Sequence, residues 1–242
     1  MNVPDTVTTA LADRPVDGRT CLEAGAGVGN MTAALVEGGA ERVYAITNDA
    51  DHATKVRDRT GQASSVAVLE ADLEATPLPA DAVDVVTAHA LFNVLEPSSA
   101  VAIAEELTRV AAPGAHLVVD DYAPIPTDAA VRHLFAIENA AAELAGRRPA
   151  LTFYPVDGLR RLFGGLGWEF DRTRTLLDPV PWTESHFSAH VDVVRSHAEA
   201  VPGDLGEQLV AAAEDVAAET GSEEVGEMYS LAMWLPETTS RA

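Results

Sequence analysis

The chain has 242 residues, 47% of them hydrophobic, and carries 38 Asp and Glu against 16 Lys and Arg, a formal charge of −22 at pH 7. That size suits one large domain or a core with a cap; no apolar run reaches the ~18–20 residues of a membrane span, and no basic-then-apolar start marks a secretory leader. A single cysteine, Cys21, excludes an intrachain disulfide and points to the cytoplasm, while the acidic field repels phosphate backbones and disfavours nucleic acid as substrate.

The acids are dispersed along the chain, and Lys55 is the only lysine. Such a surface is like that of proteins from salt-loving organisms, where carboxylates hold water and salt screens their repulsion. The competing reading is an acidic face for a basic partner. The first reading predicts that thermal unfolding moves upward from dilute buffer to molar potassium chloride; a flat or falling curve favours the second.

In chain order, residues 4–14 read as a short helix and 19–23 as a first, apolar strand. A helix over 30–37 ends at Gly38-Gly39, a strand follows at 42–47, and a helix over 50–60 ends at Gly61. Strands at 65–70 and 84–88 precede a helix over 98–111, which stops at a Pro113-Gly114 turn before a strand at 115–120. This alternation predicts a mostly parallel sheet with helices on both faces. Beyond Asp121 the rhythm changes: helices over 126–146, 156–163, 184–200 and 204–219 surround strands at 168–177 and 228–235. The chain reads as one domain, 1–242, with a core in 1–121, 156–178 and 226–236 and helical cap segments at 122–155 and 179–225.

Glu23-Ala24-Gly25-Ala26-Gly27-Val28-Gly29-Asn30 joins the first strand to its helix. Glycines there let the backbone turn sharply and approach a ligand. A dinucleotide loop, GxGxxG, would need its third glycine at position 30, which is Asn30. An acidic residue followed by GxGxG after strand one instead resembles motif I of the class I S-adenosylmethionine-dependent methyltransferases.

That resemblance covers residues 18–122 and, more weakly, 158–178 and 227–235. It implies a Rossmann-like seven-stranded sheet whose last strand is antiparallel and inserted between strands five and six. It implies S-adenosylmethionine as cofactor, lying across the carboxyl ends of strands one to four. Glu23, Gly25 and Gly27 then line the methionine half of its site, with Ala26 and Gly29 also among the cofactor-binding residues. After strand two the family's ribose-binding carboxylate aligns with Thr47, a departure, so Asn48 or Asp49 takes that role, or Asp49 merely caps the next helix. Asp72 suits the adenine amino group, since a carboxylate only accepts, with Leu73 beside the ring. Ala88 and His89 fall beside the sulfonium.

Methyl transfer needs an aligned acceptor and exclusion of water, and a base only where the acceptor has a proton to lose. His89, Asp120, Asp121 and Tyr122 are the strand-end candidates for that role, each with a structural alternative in turn-capping or carbonyl bonding. His186, His190 and His197 fall along one helical stripe, but no acidic partner or HExxH context accompanies them, so a core-to-solvent boundary is expected and no metal. Phe135, Phe153, Tyr154, Trp182 and Phe187 in the cap segments suit an enclosed pocket, so the expected acceptor is a small, partly apolar molecule. Two rivals remain at this stage: a cofactor-binding partner protein without turnover, and a protein or RNA methyltransferase.

Overall fold

The computed structural model describes residues 3–61 and 63–237. The order is α1 (Asp5–Leu11), β1 (Thr20–Ala24), α2 (Asn30–Glu37), β2 (Arg42–Thr47), α3 (Ala50–Thr60), β3 (Val66–Glu70), β4 (Val83–His89), α4 (Pro97–Val110) and β5 (Ala111–Tyr122). Then come α5 (Ala130–Leu144), α6 (Val156–Gly165), β6 (Glu169–Leu177), β7 (Pro181–Trp182), α7 (Glu184–Ala198), α8 (Leu205–Thr220), β8 (Glu223–Glu224) and β9 (Met228–Trp234).

Alternation along the strands divides the sheet's two faces. Leu22, Val86 and Leu117 look toward α4 and α6 and share a core with Leu107, Leu159 and Phe163. Cys21, Val43 and Val85 look the other way, onto Met31 and Leu35 of α2 and Val7 of α1. Strands so covered on both faces read as near-continuous apolar runs, as parallel sheets require. The strand order is β3-β2-β1-β4-β5-β9-β6, parallel except for β9, which runs antiparallel to both its neighbours. The seven-stranded, Rossmann-like sheet with an inserted last strand is therefore present as expected.

The Pro113-Gly114 turn expected ahead of strand five lies inside β5. The register jumps from Val83↔Ala111 to Val85↔His116, so this stretch bulges out of the ladder. Its backbone is still engaged, because the Gly114 N–H donates to Leu235 O at 2.8 Å. The pair β7–β8 forms a separate two-stranded sheet that the sequence pattern did not announce.

Helices α5, α7 and α8 pack on one another with a core of their own, built on Leu134, Phe135, Trp182, Phe187, Val191 and Val194. Glu223 in β8 fastens this cap, its two carboxylate oxygens accepting the Ala130 and Val131 N–H groups at 3.0 and 2.9 Å. An anion at a helix start is favoured by the free N–H groups and the dipole. Among the described residues no helix is long and apolar enough to cross a membrane.

Candidate active site

The carboxyl ends of β1, β2 and β4 open onto a cavity of about 690 Å³. Its wall includes Glu23, Gly25, Ala26 and Gly27 after β1, Asn48 and Asp49 after β2, Asp72 and Leu73 after β3, and His89 at the end of β4. Gly25 and Gly27 both have positive φ, +71° and +48°. A Cβ on Gly25 would stand 2.8 Å from Leu91 Cδ1, so the loop must pass close here. A Cβ on Gly27 would meet only Gly25 O at 3.8 Å and otherwise enters open space.

Two expected cofactor residues lie behind the wall. Ala88 is fully buried within β4. Gly29 is the left-handed N-cap of α2, and a Cβ there would press on Val56 and Arg59 at 3.3 Å, so its role is packing α2 against α3. Asp49 does both things weighed for it, accepting the His52 N–H at 2.8 Å as the cap of α3 while lining the cavity. That bond holds its carboxyl below the usual carboxylate range. Asn30, Thr47, His52, Glu74 and Arg148 also line the cavity without having been picked out as site residues. Arg148 arrives from the loop after α5 and pairs with Glu96 at 2.8 Å, a contact between distant segments that no local pattern encodes.

Beyond His89 a second cavity, about 460 Å³, lies between the core and the cap. Tyr122, Phe135, Phe153 and Trp182 line it, with His186 and His190. Phe135 stacks on Phe153 at 5.2 Å and meets Trp182 edge-on at 5.3 Å. Two of the aromatics expected there lie elsewhere. Phe187 is fully buried in the cap core, and Tyr154 turns to the first cavity's side, donating to Leu95 O at 2.9 Å. Pro4 and Thr6 also line the second cavity, so the segment before β1 contributes to it along with the downstream segments expected to.

His89 and Asn30 border both cavities. His89 Nδ1 lies 3.2 Å from Asp120 Oδ2, and Asp120 is wholly buried. Burial pulls the imidazole down, but the Asp120 bond and charge, with Glu23 and Asp121, more than offset it and hold His89 above its ordinary value. Asp121 lies behind the wall rather than in it. Its carboxylate accepts the N–H groups of Asn93 at 3.0 Å and Tyr122 at 2.8 Å, pinning the loop after β4 to the end of β5. Burial pushes the Asp121 carboxyl up to about 7. Burial likewise pushes Glu23 up to about 7, against the opposing bond from Thr32 Oγ1 and the charge of His89.

These shifts have one sign. In the unfolded chain both carboxyls lose their protons near pH 4, whereas folded Glu23 and Asp121 keep theirs to about pH 7. His89, raised in the folded chain, adds a loss of the same sign as pH rises past its ordinary value. Stability of the ligand-free protein is therefore expected to fall as pH rises from 5 to 8 at constant salt. Denaturant titrations check this; the slope should flatten in Asp121→Asn, and a rising curve would contradict it.

The three histidines of α7 have separate partners. His186 Nδ1 accepts the Thr183 N–H at 3.0 Å, His190 contacts Glu138 at 2.7 Å, and His197 lies 3.2 Å from Arg147. Among the described residues no cluster of three potential ligands could hold a metal ion.

Residues 22–119 match the family model described as "Methyltransferase domain". No curated protein matches the chain by sequence. Among solved structures, the chain is similar to the YcgJ protein from Bacillus subtilis (14% identity, covering 96% of this chain and 98% of that one, TM-score 0.64). It is also similar to the [4+2]-cyclase SpnF (15% identity, covering 96% and 80%, TM-score 0.62). A geranyl diphosphate methyltransferase in complex with S-adenosylmethionine is a third likeness (14% identity, covering 94% and 83%, TM-score 0.59). Residues 22–119 therefore match a methyltransferase domain, and the chain has the fold of the class I S-adenosylmethionine-dependent methyltransferases. S-adenosylmethionine is the cofactor of that class.

Proposed function

We propose that the chain transfers the methyl group of S-adenosylmethionine to a small, partly apolar acceptor held in the second cavity. The observation that carries this reading is the shared wall: His89 and Asn30 border both the strand-end cavity and the aromatic one. Two ligands seated there would face each other at the end of β4.

The residues present fit the cofactor. The 690 Å³ cavity is of ligand size, and the free space over Gly27 is what a Cβ would fill. Glu23, nearly out of water, would regain a counter-charge from the cofactor's ammonium group. Gly25, Ala26 and Gly27 would border the methionine half, with Gly29 setting the turn and Ala88 backing the wall. Asn48 and Asp49 would take the ribose hydroxyls, and Asp72 with Leu73 the adenine. When bound, the cofactor supplies an already activated methyl group, so the protein's task is alignment and exclusion of water. His89, which borders both cavities, and Tyr122, which lines the second, are the candidates to touch the acceptor; Asp120 and Asp121 act from behind them.

We read residues 1–242 as one unit, the core holding cofactor and the cap covering the acceptor. The lone, buried Cys21 suits a cytoplasmic enzyme, and the dispersed acids suit a salty one. The −22 charge weighs against an RNA or DNA acceptor. A binder without turnover is the second reading, supported by Thr47 at the usual carboxylate position.

S-adenosylhomocysteine is expected to raise the melting temperature and NAD to leave it unchanged, because Asn30 replaces the third dinucleotide glycine. Equal stabilisation by NAD, or none by S-adenosylhomocysteine, overturns the reading. Mass spectrometry of small molecules that co-purify would report cofactor and acceptor together, and turnover separates enzyme from binder.

A further inference from the structure

Three imidazoles border the aromatic cavity; His186 is turned to the Thr183 N–H, and the other two are tied through Nδ1 to a carboxylate out of water. His89 meets Asp120 at 3.2 Å from the end of β5, and His190 meets Glu138 at 2.7 Å from α5. Asp120 is 0% and Glu138 3% exposed. A carboxylate only accepts, so each ring in its neutral form carries its proton on Nδ1 and keeps a lone pair on Nε2, a form that His89, held above its ordinary value, reaches at higher pH. With the Nδ1 edge engaged inward, the opposite edge is what the cavity meets. Tyr122, Phe135, Phe153 and Trp182 give the wall its aromatic faces, and among the described residues no Lys, Arg, Asp or Glu lines it. The charge His89 can carry is already answered by Asp120, so a charged ligand would lose its water there without gaining a free counter-ion, a cost that a neutral ligand does not incur. A flat ring with donors at two points matches both the aromatic walls and the two lone pairs.

We propose that this cavity takes a neutral, planar ring molecule bearing two hydroxyl groups, one donating to His89 Nε2 and the other to His190 Nε2. The hydroxyl at His89 is the one presented for methylation, and in this the inference rests on the function proposed above. There the O–H proton passes to His89 Nε2, the oxygen forms a bond to the methyl carbon, and the pair of the broken sulfur–carbon bond stays on sulfur. The hydroxyl at His190 keeps its proton and fixes which oxygen is presented.

The test is ligand-observed NMR on the free and S-adenosylhomocysteine-loaded protein. The probes are hydroquinone, resorcinol and 2,7-dihydroxynaphthalene, against 2-naphthol, 2-naphthoate and 2-naphthylmethylamine. One of the diols is expected to bind roughly tenfold or more tighter than each of the single-function probes, since a site built for hydroxyls discriminates against ligands lacking them. His190→Phe should erase that advantage while S-adenosylhomocysteine affinity stays within a few-fold; His190→Leu serves where the larger ring disturbs the cap. With S-adenosylmethionine present the bound diol should gain one methyl, and His89→Gln should slow this by roughly 100-fold or more. Naphthoate or the amine binding as well as the best diol overturns the inference. So does the absence of diol binding, a diol advantage that survives loss of His190, a bound diol that gains no methyl, or wild-type turnover in His89→Gln. Loss of S-adenosylhomocysteine binding with the diol preference intact overturns the proposed function and leaves the recognition by His89 and His190 standing.

Discussion

Gly27→Val is expected to leave a folded protein that no longer binds S-adenosylhomocysteine. The backbone at Gly27 has φ +48°, so a branched residue there is strained by roughly 1–3 kcal/mol. That is within what a domain of this size tolerates. No protein atom other than Gly25 O, at 3.8 Å, comes near the added Cβ, so the fold has no clash to relieve. The new side chain instead occupies the floor of the 690 Å³ cavity. A clash of ~3 kcal/mol with the cofactor already corresponds to roughly 100-fold in affinity. Circular dichroism with calorimetric titration checks both halves. Retained affinity in a folded variant would mean that the cofactor does not lie over this loop.

Trp182→Ala is expected to give the largest loss of stability among the cap aromatics. Its ring is 6% exposed, its Nε1 donates to Val225 O at 3.0 Å, and it packs against Tyr122, Phe135 and His186. Truncating a buried aromatic of this kind costs ~3–5 kcal/mol. Because Trp182 borders the second cavity and not the first, S-adenosylhomocysteine affinity should stay within a few-fold in the folded fraction. Phe153→Ala, with a half-buried ring in the same wall, should cost less stability and also spare the cofactor. Tyr154→Ala should behave oppositely and loosen the cofactor, since its hydroxyl holds Leu95, which lines the first cavity. Denaturant titration and ligand affinity, measured on all three, separate these outcomes. Cofactor loss in Trp182→Ala alone would contradict the division of labour between the cavities.

The difference between Phe153 and Tyr154 shows where sequence reasoning stops. The glycine loop was legible because its conformational demand leaves a local signature, and Glu23, Gly25 and Gly27 do line a cavity. The cap was legible as amphipathic helices, but which ring turns inward depends on how α5 meets α7, a matter of packing between segments far apart in the chain. Asp121 and Asp120 are adjacent and chemically identical, yet strand alternation gives one to the loop backbone and the other to His89. The carboxylate partner sought for the α7 histidines was absent from their own helix, and Glu138 supplies it from α5. Thr47 marked a departure at the ribose position without saying which neighbour compensates. The structure places Asn48 and Asp49 together in the wall.

Strand β9 hydrogen-bonds along its length to both β5 and β6, and it is made after both of them. Until residues 228–234 emerge, β5 and β6 each present an unpaired edge flanked by side chains that belong in the finished interior. The three cap helices are made during that interval and have a cluster of their own to collapse around, so the periphery of this molecule has material to condense before its centre closes. A nascent chain in that state is open to pairing with a neighbour of its own kind. The hazard for this protein in a crowded cell lies in the interval before β9 is made, when a mature chain's thermodynamic stability offers no protection, and slowing translation through the cap would lengthen it.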